Sequence, residues 1–196
     1  MNTKKQVNLT PDLLIAAGHC RKTFLNPENA GQVIKINHAG SDGNERELAL
    51  YNVLPPNIQA LCPRFYGTVE TNLGQGLCFE RIVDFDTQEP SETLLKLLQD
   101  KADFVRLHKN GILNAIQRLT DEFANCPQMT CGLNIENIVL QRVSPSEIKI
   151  FSIDMKMLTV KEAIPISKLF SFFRTRKIRR RLKRNLDFLM QTVQKL

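Results

Sequence analysis

Residues 31–56 read GQVIKINHAGSDGNERELALYNVLPP, and a change of period inside this stretch decides the fold. Residues 31–37 are a compact apolar run between turn formers, the pattern of a short strand. Ser41 to Asn44 are turn and capping residues. After them Glu47, Leu50, Tyr51 and Leu54 recur at helical spacing, until Pro55 and Pro56 stop the helix. Lys35 stands in the middle of the strand, where a lysine either carries its ammonium to the surface or points inward and pairs. Glu47 shares the apolar face of the helix, whereas Glu45 lies on another. A carboxylate on a buried face needs a cation, and Lys35 is the lysine seated in a core strand of this half, so the two are expected to pair.

The same alternation of patterns extends outward. RFYGTVE (64–70) and GLCFERI (76–82) read as strands, joined through TNLGQG as a hairpin. Gly74-Gln75-Gly76 is read as part of that turn and not as a phosphate cradle, because a strand and not a helix follows it. From Pro90 the period becomes helical, over 91–110 and again over 112–126, with the break expected at Asn110–Gly111. Two short strands follow, 137–143 and 147–154, linked through Ser144 and Pro145. An amphipathic helix is expected from about Ile166 to Val193. The fold class is therefore α+β: a strand-rich N-terminal lobe (1–82), a connector from Ile82 to Glu89, and a compact helical C-terminal lobe (83–196).

Composition agrees with a packed protein. With 42% hydrophobic and 24% charged residues among 196, a largely disordered chain is excluded. The longest near-continuous apolar stretch, Leu13 to Ala17, is far too short for a bilayer and lacks the flanks of a secretory signal. Five scattered cysteines (Cys20, Cys62, Cys78, Cys126, Cys131) form no C-x-x-C pair, so the expectation is a reducing cytoplasm without a disulfide framework. Neither the four-ligand spacing of a structural zinc nor a thiol with a base partner emerges, and His38 and His108 read as surface residues.

The net charge of +7 is unevenly placed. Lys168 to Lys195 holds ten basic residues against Asp187 alone, a net +9, so the remainder carries −2. Eight of the cations are Arg174, Arg176, Lys177, Arg179, Arg180, Arg181, Lys183 and Arg184. They alternate with an apolar stripe of Leu169, Phe172, Phe173, Leu182, Leu186 and Leu189. Either this is the solvated face of a helix that closes the C-terminal lobe, or it is an anion-binding patch for an anionic membrane surface, nucleic acid or an acidic protein.

Two further polar residues stand at strand ends. Asp154 terminates IKIFSID, a position suited either to a metal or phosphate site or to a cap. Asn137 opens the neighbouring strand after a polar turn. In order, Lys35, Glu47, Asn137 and Asp154 resemble the protein-kinase-like nucleotide site. More closely, GHCRKTFLNPEN (18–29), VIKIN, NERELALYNVL, PRFYGTVETNLGQGLCFERI (63–82) and GLNIENIVLQR (132–142) resemble the bacterial YrbL family, small kinase-like proteins associated with the PhoP regulatory network. The resemblance runs from Ile15 to Asp154 and more loosely beyond.

It implies a two-lobed kinase-like fold binding ATP or ADP with Mg²⁺. Lys35 would hold the α- and β-phosphates, with Glu47 orienting it and Gly18 in the phosphate loop. Backbone groups from Glu80 to Ile82 would meet adenine, and Asn137 and Asp154 would hold the metal. Two departures qualify it. The slot five residues before the asparagine, where such sites carry the catalytic aspartate, is Gly132, which cannot orient a substrate hydroxyl. The glycine-rich loop is thin, with Gly18 alone, although Arg21 and Lys22 add charge. Met155 follows Asp154, so the D-F-G switch is missing. The expected function is thus a regulatory, pseudokinase-like nucleotide binder with no confident catalytic residue. The alternatives are an active phosphotransferase on an unknown hydroxyl, and an adaptor acting through the basic helix.

Overall fold

The computed structural model describes residues 6–126 and 135–154 and, further on, Arg176, Arg180, Lys183, Arg184, Asp187, Phe188 and Gln191. Within these the protein is α+β, with an antiparallel five-stranded sheet, a two-stranded hairpin and several helices. The described chain falls into two compact units. One runs to Asn52 and takes in Pro63–Ile82; the other holds Val53–Cys62 and the chain from Val83 onward.

In the first unit, strands β1 (Leu14–Ala17), β2 (Arg21–Leu25), β3 (Gln32–Asn37), β4 (Phe65–Thr71) and β5 (Gly74–Glu80) form a sheet in the order β1-β2-β3-β5-β4. Alternation along β3 sends Ile34 and Ile36 to one face, where they pack with Val7, Leu9, Phe24 and Cys78. Lys35 consequently points to the opposite face, which carries helix α1 (Gly43–Tyr51). On that face Tyr51, Phe65 and Phe79 stack with ring centroids 5.1–6.3 Å apart.

Gly74 differs from its reading as a turn residue, and Gly76, read both as the end of that turn and as the start of the strand, lies in the strand. The β4–β5 turn is Asn72-Leu73, and Gly74 and Gly76 belong to β5. Gly74 follows the turn at φ +102°, whereas Gly76 lies buried where Ile34 and Ile36 crowd the strand. Helix α1 stops at Tyr51, before the prolines. Pro56 instead opens the short helix α2 (Pro56–Gln59), where its missing N–H costs nothing.

In the second unit, α3 (Leu94–Asp100), α4 (Ala102–Leu107) and α5 (Lys109–Asn125) accompany the hairpin of β6 (Ile138–Arg142) and β7 (Ile148–Ser152). Thr93 caps α3, its hydroxyl accepting from the Lys96 N–H at 3.3 Å. The helical stretch breaks at Lys101 (φ −137°, ψ 52°) and His108 (φ −99°, ψ 12°), and not at Asn110–Gly111. Gly111 is carried inside α5, whose Ile112, Ile116, Leu119 and Phe123 are fully buried at helical spacing. Among the described residues no helix is long and apolar enough to cross a membrane.

An ion-pair clamp fastens the start of this unit to the hairpin. The Asp84 carboxylate accepts from the Ser91 hydroxyl (2.6 Å), the Arg142 N–H (3.0 Å) and Arg142 Nε (3.0 Å), and Arg142 Nη1 reaches Asp86 at 2.8 Å. Burial pushes the Asp84 carboxyl upward, but the bonds from Ser91 and Arg142 outweigh it and hold the group below its ordinary 3.8. A depressed folded value contributes stability that is full above the unfolded value and is lost as pH falls through the folded one. Asp84→Asn should therefore cost about 1–3 kcal/mol near neutrality. The gap to the unsubstituted protein should narrow in urea titrations repeated at about pH 3. A gap that is constant with pH would show that the clamp holds by shape and not by charge.

Candidate functional site

Glu47 is the most deeply buried carboxylate described, 3% exposed, on the inner face of α1. Isolated there it would be prohibitively costly, and it is held by two cations. Lys35 Nζ donates to Oε1 at 2.8 Å and to Oε2 at 3.1 Å, and Arg21 Nη1 donates to Oε2. The inward alternative for Lys35 is the one observed: its side chain is 11% exposed and its ammonium lies 4.4 Å from the centre of the Phe79 ring.

The first turn of α1 is fixed to β3 by side chains. Asn37 Oδ1 accepts from the Asn44 N–H (2.9 Å), supplying the cap that Asp42 does not, and Asn44 Nδ2 donates to the Lys35 carbonyl (2.9 Å). Asn37 Nδ2 in turn donates to Glu45 (2.8 Å), which sits exposed on the other side of the helix. Helix and strand thus cannot slide past each other, and the ammonium of Lys35 has a fixed position. A fixed, partly desolvated cation beside a second cation is an arrangement that can hold anionic oxygens.

Arg21 was seen in the sequence only as extra loop charge. The β2–β3 register pairs Arg21 with Asn37 and Thr23 with Lys35, so period-two alternation places Arg21 and Lys35 on one face. That signal needed the register of a strand too short to stand out. The β1–β2 turn, Gly18-His19-Cys20, is closed by the Gly18 N–H donating to the Arg21 carbonyl (2.8 Å). His38, read as a surface residue, is half-buried and braces this turn: its ring Nε2 lies 3.0 Å from the Gly18 carbonyl, and its N–H donates to the Cys20 carbonyl. His108 is likewise half-buried, stacked 4.5 Å from the Phe104 ring. A Cβ at Gly18 would meet only the Arg21 carbonyl, at an ordinary 3.6 Å, so local packing does not demand glycine there.

The chain leaves β5 through Glu80, Arg81 and Ile82. The Glu80 N–H donates to the Arg64 carbonyl (2.8 Å) and the Arg81 N–H to the Gly31 carbonyl (2.9 Å). In the second unit, Asn137 and Asp154 stand at the same, open end of the β6–β7 hairpin. Ile138 pairs with Ser152, the Ile153 N–H donates to the Asn137 carbonyl (3.0 Å), and Asp154 follows directly. Both residues are half-buried. Among the described residues no group of three or more His, Cys, Asp or Glu side chains is poised to hold a metal. Gly132, Arg174, Lys177, Arg179 and Arg181 lie outside the described residues, as does Cys131; Arg176, Arg180, Lys183 and Arg184 are helical and exposed. Cys20, Cys62, Cys78 and Cys126 are not joined in disulfides.

Comparison with known proteins adds the family. The chain is 30% identical over 151 residues to the YrbL proteins of Escherichia coli (strain K12) and Shigella flexneri, alignments that cover 72% of this chain and 69% of each relative. The sequence pattern of the family described as "PhoP regulatory network protein YrbL" matches residues 7–190, a span containing both strand systems, the Lys35–Glu47 pair and the Asn137–Asp154 hairpin. The chain belongs to the YrbL family.

Proposed function

We propose that the protein is a regulatory, protein-kinase-like nucleotide-binding module, its two units corresponding to a strand-rich N-lobe and a helical C-lobe. The observation that carries this reading is the buried Lys35–Glu47 pair, made between a sheet strand and the helix that follows it. In this role Lys35 binds the α- and β-phosphates of ATP or ADP, and Glu47 keeps its ammonium aimed. The Glu80 carbonyl and the Ile82 N–H take the adenine edge. Asp154 and Asn137 would hold Mg²⁺ through one carboxylate and one amide oxygen, hard donors of the kind that ion takes. When bound, the ion neutralises phosphate charge. Membership of a family described as a PhoP regulatory network protein is consistent with a regulatory role.

The test is thermal unfolding of the full chain with MgATP and MgADP. At ligand tenfold above its dissociation constant the stabilisation should be about 1.4 kcal/mol, a rise of roughly 3–6 °C. Lys35→Met should remove the rise. Gly18→Ala should leave the ligand-free midpoint unchanged and shrink the rise, because the close approach of phosphate to the turn, and not local packing, is what needs glycine. The absence of any shift with purine nucleotides at millimolar concentration refutes the reading. Gly132→Asp separates this module from a phosphotransferase. A missing proton acceptor is worth roughly 10²–10⁴-fold in rate, so the variant should gain ATP hydrolysis of that order. Ordinary kinase rates in the unsubstituted protein would favour the phosphotransferase instead.

A further inference from the structure

We infer that the exposed basic stripe of Arg176, Arg180, Lys183 and Arg184 docks the protein on an anionic lipid surface. The inference goes beyond the nucleotide reading and does not depend on it. The residues described in this part of the chain, between Arg176 and Gln191, are all helical and all exposed. At 3.6 residues per turn their positions fall within roughly 140° of one helical face. The four cations occupy about 12 Å of its length at 1.5 Å per residue. None of the four is paired with a carboxylate among the described residues. In sequence, Asp187 is the one acid from Lys168 to Leu196, whereas Arg174, Lys177, Arg179 and Arg181 interleave with the stripe.

Cations packed this closely on one face sit well within a screening length of each other and sum to a local positive field. Asp187 shares the face and offsets one of the four. A small anion would meet one or two of these groups, whereas a plane of lipid headgroups meets all of them at once. Each cation near such a plane is worth about a fivefold gain in binding. The same face then carries Phe188, which is 49% exposed. An aromatic ring beside arginines gains by entering the boundary between headgroups and acyl chains, where apolar burial adds to the attraction of charge. A nucleic-acid duplex offers the cations its phosphates but gives that ring no apolar layer, so the pairing of stripe and ring favours the membrane.

Co-sedimentation of the full chain with vesicles decides the matter, phosphatidylcholine with about 30% phosphatidylserine against phosphatidylcholine alone. Binding should need the anionic lipid and fall steeply between about 0.1 and 0.5 M salt. Arg180→Gln should weaken it about fivefold, and glutamine at all four stripe positions about 10²–10³-fold. Lys149→Gln, which removes an exposed cation from β7, should stay within about twofold. Glutamine suits a helix and the four positions are exposed, so unfolding midpoints should match the unsubstituted protein. Phe188→Ser should weaken vesicle binding about 3–10-fold and leave any binding to a short DNA duplex unchanged. No binding to anionic vesicles overturns the inference, as does undiminished binding by the fourfold variant. A duplex bound through the stripe while vesicles are not would make this a nucleic-acid surface. Should both bind, an equal response of the two to Phe188→Ser overturns the membrane reading, and a loss confined to vesicles upholds it.

Discussion

Glu47→Ala should be among the most damaging single substitutions in this chain, costing about 3–5 kcal/mol, a large share of the 5–15 kcal/mol of a typical domain. The loss comes less from broken contacts than from what remains: Lys35 and Arg21, both largely buried, deprived of the carboxylate they share. The effects should be asymmetric. Lys35→Met leaves the Arg21–Glu47 pair in place and should cost no more than about 1–2 kcal/mol. Glu47→Gln keeps an oxygen acceptor but no charge and should lie between. Urea unfolding of the three variants at neutral pH measures the ordering. Equal losses in Lys35→Met and Glu47→Ala would show that Arg21 does not sustain the carboxylate.

Gly76→Ala should cost about 1–3 kcal/mol, with Gly76→Val leaving little folded protein. A Cβ at this position would stand 2.6 Å from Ile34 Cγ2 and 2.8 Å from Ile36 Cδ1, and 3.3 Å from the Lys35 carbonyl. Neither isoleucine can retreat, since both are buried in the core of the sheet. The strain must then pass into β3, on which Lys35 sits. Differential scanning calorimetry should show a midpoint lowered by roughly 3–10 °C for Gly76→Ala, and any nucleotide-induced rise should shrink with it. By contrast, substitution at Gly76 without thermal cost would mean that β5 stands further from β3 than described.

How much of this was legible in the sequence depended on periodicity. Gln32–Asn37 and Gly43–Tyr51 announce themselves because the period changes from two to 3.6 within a few residues. The same reasoning exposed the Lys35–Glu47 pair, since a charged residue on an apolar face needs a partner. Gly74 was misjudged because a Gly-x-Gly run reads locally as a turn, and for Gly76 only the isoleucines across the strand show how little room its place in β5 leaves. The breaks at Lys101 and His108 carry no turn residue of the usual kind, so nothing local announces them. Arg21 was hardest to see. Its role depends on pairing with β3, which a five-residue strand does not announce.

The shared carboxylate also constrains how such a site can change over generations. A chain that loses Lys35 still has its charge balanced by Arg21, and a chain that loses Arg21 still has Lys35. A chain that loses Glu47 first leaves two buried cations without the carboxylate they shared, and two further substitutions must follow before those cations are gone. Descent through folded intermediates therefore runs in one order, a cation first and the carboxylate after it. A descendant that has given up ligand binding should thus pass through forms that keep Glu47 with a single basic partner.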